Sequence, residues 1–112
     1  MVTSATLRLV DSPASRWTGM FAFPTEESAL AAVLGLLESG VRPSILEFLD
    51  RQSVECAERF GCAPVFAAAP GSALLLVELD GANAPDVAAE RGRLLDFMES
   101  RVAAWEEAED AE

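Results

Sequence analysis

The sequence contains no histidine and no tyrosine, and all eight of its basic residues are arginines. Without histidine it cannot build a Ser-His-Asp or Cys-His catalytic arrangement, or the common His-containing metal sites. Without tyrosine the phenolic acid/base is missing too. Cysteine is scarce. Cys56 and Cys62 are the only two and form no CxxC motif, so they read as ordinary thiols in a reducing compartment. No metal site is expected. Long apolar runs are also missing: Leu74 to Val77 and Ala29 to Leu34 fall far short of the ~20 residues needed to cross a bilayer. Met1-Val2-Thr3-Ser4 has no basic cluster ahead of an apolar run, so no signal peptide is expected. These absences together suggest a cytoplasmic protein without a membrane span.

Positive charge is the remaining shortage. Eight arginines stand against nineteen acids, for a net charge of -11. Nucleic-acid binding needs a basic face that releases counterions from phosphates, so no nucleic-acid partner is expected. Five of the acids fall between Glu106 and Glu112, which reads as a solvated acidic tail. Gly19, Gly35 and Gly92 form no G-x-G-x-x-G fingerprint, so no nucleotide-binding loop is present.

What is present is a folding sequence. Hydrophobic residues make up 51% of the 112, enough for one domain and too few for two. Thr3 to Val10 alternates and predicts a leading strand; Asp11 to Arg16, with Ser12-Pro13, predicts a loop. Trp17 to Phe23 predicts a second strand, stopped by Pro24. Thr25 then suits a helix N-cap with Glu26 and Glu27 in the first turn. Leu30, Val33, Leu34 and Leu37 are expected to form that helix's buried stripe, and Gly40 its stop. A strand over Ser44 to Asp50, a short helix over Arg51 to Phe60 and a loop over Cys62 to Gly71 follow. Ala73 to Asp80 is the clearest strand. Pro85 opens a last helix, whose apolar residues Val87, Leu94, Leu95, Met98, Val102 and Trp105 keep the 3.6 period to the C-terminus.

With the leading strand and small helix set aside, the order is β-α-β-β-α. This is an α+β, ferredoxin-like split βαβ unit with an antiparallel sheet, from which the last strand is missing. The expected division is a leading strand and linker over 1–16, the ferredoxin-like unit over 17–105, and the acidic tail over 106–112.

Three segments resemble a known family. Val2-Thr3-Ser4-Ala5-Thr6-Leu7-Arg8-Leu9 resembles the "VTEATLRL" segment with which the FAD domain of the FAD-linked oxidases passes into its C-terminal domain. Pro43 to Arg51 is similar to that family's "P-x-x-x-E-[FL]-[ML]-D-[RK]" strand, and Leu74 to Gly81 to its "LLVELDG" strand. The three keep the family's order and spacing. The family includes the flavin subunit of glycolate oxidase, D-lactate dehydrogenase and D-2-hydroxyglutarate dehydrogenase, which pass a hydride from a 2-hydroxy acid to FAD. The resemblance therefore implies FAD in a parent enzyme, with an FAD-binding domain upstream as partner. It also implies a downstream catalytic segment, carrying a tryptophan-arginine pair and metal-binding histidines. The chain itself is then expected to be inactive and to bind no cofactor. The resemblance reaches Glu47, Asp50, Glu78 and Asp80, and the family's pattern gives none of them a catalytic role.

Strand alternation singles out two carboxylates. Ala73, Leu75, Val77 and Leu79 form an apolar set that should meet both long helices, leaving Glu78 on the uncovered face. By the same alternation Glu47 joins it there. Two carboxylates among leucines suggest acid/base chemistry, since crowding and desolvation raise a carboxyl pKa. The competing and favoured reading is that both are solvated or pair with arginines across a domain contact. Trp17 and Trp105 read as core or edge residues. With the uncovered face and an open edge near solvent, the isolated chain is expected to form a symmetric homodimer. A free-standing ferredoxin-like dimeric binding or regulatory module is the alternative to a flavoenzyme piece.

Overall fold

A computed structural model describes residues 1–66 and 73–108. The elements run β1 (Ser15–Phe23), α1 (Glu26–Glu38), β2 (Ile45–Leu49), α2 (Arg51–Gly61), β3 (Ala73–Gly81), α3 (Ala84–Met98) and β4 (Ala104–Glu107). The four strands form one antiparallel sheet in the order β2-β3-β1-β4. With α2 as an insertion, this is the ferredoxin-like split unit read from the sequence.

The pairing of β1 with β3 runs the full length of both, from Ser15 opposite Gly81 to Phe23 opposite Ala73. One face of this ribbon carries Trp17, Phe21 and Phe23 across from Leu79, Leu75 and Ala73. That face packs on α1 and α3, where Ala29, Ala32, Leu36, Val87, Leu94 and Met98 close the main core. The set Ala73, Leu75, Val77 and Leu79 thus meets the two long helices, as alternation requires.

Each helix begins where its first residues dictate. Thr25 and Ser28 form a reciprocal capping box at the start of α1. Asn83 caps α3, with Pro85 in its first turn, where a missing N–H costs nothing. The chain leaves α1 through Gly40, whose φ of +89° suits a residue without a Cβ.

Four expectations are corrected. The last strand is present: β4 pairs with β1 from Ala104 opposite Ala22 to Glu107 opposite Gly19. Correspondingly, α3 stops at Met98, and Trp105 belongs to β4. Met98, Val102 and Trp105 fit a helical period, yet Ala103 N–H donates to Ala22 O (2.8 Å), and the vacant edge of β1 captures the chain. The strand expected over 3–10 does not form, because its alternation meets no sheet edge; Leu7, Leu9 and Val10 are exposed. On α1 the stripe Leu30, Leu34 and Leu37 faces solvent and Val33 is only half-buried, while Ala29, Ala32 and Leu36 are buried. That helix is apolar nearly all round, so periodicity does not choose its face. The alanine side lets it lie close over the phenylalanines of β1. Finally, the face opposite α1 and α3 is half covered: Val54 of α2 and Phe66 pack on Ala22 and Leu74. Much of the expected loop over 62–71 lies outside the described residues, as does the tail beyond Ala108.

Leu75 sits at the centre of this arrangement with no exposed surface. Leu75→Ala is expected to destabilise the fold by about 2–5 kcal/mol in chemical denaturation, as large-to-small core changes do. Leu7→Ala, on the exposed N-terminal segment, should change stability by less than about 0.5 kcal/mol.

Candidate functional site

The sheet face opposite α1 and α3 is built in rows. Leu49, Leu74, Ala22 and Ala104 form one row across all four strands, and this is the row that Val54 and Phe66 cover. Glu47, Leu76, Met20 and Glu106 form the next, with apolar residues at its centre and a carboxylate at each end. Ile45, Glu78 and Thr18 form the third, and Asp80 stands opposite Arg16 beyond it. The face therefore grades from apolar and covered to charged and open.

Glu47 and Glu78 share this face as diagonal neighbours, because Glu47 pairs with Leu76 and Ile45 with Glu78. Diagonal cross-strand positions lie ~7–8 Å apart. Glu47 is exposed on the edge strand β2, and Glu78 is half-buried. Glu78 Oε1 accepts a hydrogen bond from Ser44 Oγ (3.1 Å), and Ser44 N–H donates to Glu78 O (2.8 Å). Glu78 thus ties the entry of β2 to β3. Asp80 is exposed.

Asp50, the remaining residue of the matched strand motif, caps α2. Its Oδ1 accepts from Ser53 N–H at 2.6 Å. That backbone hydrogen bond first, and the Ser53 side chain second, hold the Asp50 carboxyl below its ordinary 3.8. This accounts for an aspartate at the end of β2 without catalysis.

A second cluster lies on the helix side, between β1, β4 and α3. Phe21 and Trp105 stack with centroids 6.0 Å apart, and Trp17 tilts against both. The Trp17 indole lies over Gly19, where a Cβ would fall 2.3 Å from its ring. The guanidinium of Arg91 sits 5.3 Å from the Trp17 ring centroid and pairs with Glu107 at 2.9 Å. Sequence reading found both tryptophans but not their meeting, because Trp105 was assigned to the helix rather than to β4. Arg91 gave no signal of its own.

Elsewhere an open groove of about 480 Å3 is lined by Arg42, Arg93, Asp80, Asp86 and Glu90. Glu90 accepts from the Arg42 backbone N–H and pairs with Arg93, and three carboxylates face two guanidiniums in the lining. Among the described residues, no three or more histidines, cysteines or acids are grouped to hold a metal ion. Cys56 and Cys62 are free and exposed. No helix among the described residues is long and apolar enough to cross a membrane.

Residues 12–112 match the model of a protein family described as FAD linked oxidases, C-terminal domain. The chain belongs to this family. It is similar to a protein named probable D-lactate dehydrogenase, mitochondrial, of Danio rerio, with 35% identity over 60 residues, 54% of this chain and 12% of that protein. Two structures of alkyldihydroxyacetonephosphate synthase, in different crystal forms, share the fold. One superposes with a TM-score of 0.66 at 20% identity, covering 87% of this chain and 21% of that one. The other gives 0.61 at 18% identity, covering 80% and 19%. The chain thus spans only a minor part of each.

The lowered carboxyl of Asp50 has a definite sign. A group whose pKa falls on folding contributes stability above its unfolded value, and loses it as the pH drops through the folded value. Asp50→Ala is expected to lower the melting temperature at pH 7. The gap to the unaltered chain should narrow steadily once the pH falls below 3.8. A gap that is the same at pH 7 and in strong acid would show that the cap does not act through its charge.

Proposed function

We propose that this chain is the ferredoxin-like portion of the C-terminal domain of an FAD-dependent oxidoreductase that oxidises a 2-hydroxy acid, of D-lactate dehydrogenase or glycolate oxidase type. The observation that carries this reading is the family match over nearly the whole chain, together with the D-lactate dehydrogenase relative. In such an enzyme FAD accepts the hydride from the hydroxy acid.

The residues of this chain do not themselves suit a flavin dinucleotide. Phosphates are favoured at a helix N-terminus with free N–H groups. Here Thr25, Asp50 and Asn83 each turn a side-chain oxygen onto one N–H in the first turn of their own helix, where a phosphate would otherwise sit. Together with the net charge of -11, this disfavours a diphosphate at the helix starts of the described residues. An FAD-binding domain elsewhere in the parent polypeptide holds the cofactor in this reading, and the exposed segment 1–14 leads from it. The half-open sheet face, with Met20 and Leu76 between Glu47 and Glu106, is the surface turned toward the rest of the enzyme. Glu47 and Glu78 then meet arginines across that contact, or stay solvated, rather than moving protons.

The test uses the polypeptide encoded by the complete reading frame that contains this sequence. Purified, it is expected to be yellow. Its flavin absorbance should bleach under anaerobic conditions on addition of D-lactate, glycolate or D-2-hydroxyglutarate. The 112-residue chain, mixed with FAD and desalted, is expected to come through colourless. Flavin that no 2-hydroxy acid reduces, or stoichiometric flavin on the 112-residue chain, would overturn the proposal.

A further inference from the structure

One apolar surface has no role in the reading above. The stripe Leu30, Leu34 and Leu37 on α1 is 50%, 67% and 46% exposed, and Ile45 and Phe48 of β2 are each 37% exposed. Phe48, opposite Leu75, lies on the same face of the sheet as α1, and Ile45, opposite Glu78, lies on the other. Gly35 faces α3, where its Cβ would lie 3.0 Å from the Phe97 ring. At 100° per residue, the three leucines lie about 100° to 160° around the helix from Gly35, on the side of α1 turned from α3. Two hydrogen bonds show what lies on that side. Near one end of α1, Glu26 Oε1 accepts from Arg51 N–H, just after β2 (3.4 Å). Near the other end, Leu37 O accepts from Arg42 Nη1, just before β2 (3.2 Å). Helix α1 therefore runs alongside β2, antiparallel to it, with its leucines above the strand's free edge.

We propose that the free edge of β2 and the leucine stripe of α1 form an interface between two copies of this chain, paired antiparallel about a two-fold axis. The strand order leaves only β2 and β4 at the edges of the described sheet. Charge decides between them. A copy carrying -11 repels another wherever acids gather, and β4 carries Glu106 and Glu107 within four residues. Strand β2 carries Glu47 alone. A two-fold axis at Leu46 or Phe48, rather than at Glu47, keeps the two carboxylates from facing each other. The remaining repulsion is screened beyond ~8 Å at physiological salt.

The area fits the same occupant. Five large side chains at these exposures offer on the order of 400 Å2 of apolar surface along this edge, comparable to the largest patch on a typical soluble monomer. A standard interface buries ~800 Å2 per partner, a little over half of it apolar. The edge backbone of β2 and the polar flanks of α1 supply the remainder. Pairing a strand with its own copy also matches the helix layer. The helix layer meets a helix layer over Phe48; on the opposite face an axis at Leu46 sets Ile45 against the partner's Glu47, and an axis at Phe48 sets Leu49 against it. Unpaired strand N–H and C=O groups gain partners in the same step.

Sedimentation equilibrium of the 112-residue chain, from about 1 to 100 µM, should show a species of twice the 11.9 kDa chain mass. Leu34→Glu is expected to weaken self-association at least about tenfold. Leu9→Glu adds the same charge on the exposed N-terminal segment and should leave self-association within about twofold of the unaltered chain. A monomer at every concentration would overturn the proposal. So would a dimer indifferent to Leu34→Glu, or one lost on deleting residues 1–11, which would assign the contact to the N-terminal segment. Should Leu34→Glu not fold, hydrogen exchange on the unaltered chain still decides. Amides of Ile45–Leu49 are expected to exchange more slowly as concentration rises. Protection that appears instead at Ala104–Glu107, or no change at either edge, would refute the interface.

Discussion

Nine residues of β1 lying antiparallel against nine of β3 form the ribbon on which everything else in this chain rests. Its helix-side face supplies Trp17, Phe21, Phe23, Leu75, Val77 and Leu79, all buried, and α1 and α3 have no other surface on which to bury their own apolar sides. Burial of large side chains at ~25 cal/mol per Å2 is the main favourable contribution available, since the surface ion pairs here contribute little. The ribbon also sets the edges. Strand β2 adds beyond β3 and β4 beyond β1, each in a register the central pair imposes.

That same ribbon separates two environments. The helix side is closed, aromatic at the β4 end, and sealed there by Arg91 between Trp17 and Glu107. The opposite side is closed only where α2 and Phe66 cover Leu74 and Ala22, and turns polar toward Glu78, Asp80 and Arg16. A sheet with one dry face and one graded face suits a domain that packs against a larger body. The chain belongs to the FAD-linked oxidase C-terminal family and spans a small share of the length of the relatives it matches.

One acidic residue in each of the two strand motifs has a local explanation. Asp50 closes the start of α2, and Glu78 holds the entry of β2 through Ser44. Each stands where a turn between elements needs an acceptor for a backbone or hydroxyl donor. Motif residues of this sort preserve a fold.

The sequence by itself determined the strands β1, β2 and β3, because alternation and aromatic or branched residues are bounded there by proline and glycine. It also determined the helix starts near Thr25 and Pro85, and the shared face of Glu47 and Glu78, which follows from strand period once the apolar set of β3 is buried under the helices. Only tertiary structure decided the rest. The face of α1 was open because alanines and leucines both run along it; close packing against Phe21 and Phe23 chose the alanines. The fate of Trp105 was open because Met98, Val102 and Trp105 satisfy a helical period. The unpaired edge of β1 offered backbone partners that a longer helix could not use. The segment from Thr3 to Val10 alternates as a strand should, yet a strand is a pairing between chains of atoms. Without an edge beside it, the pattern stays extended and exposed.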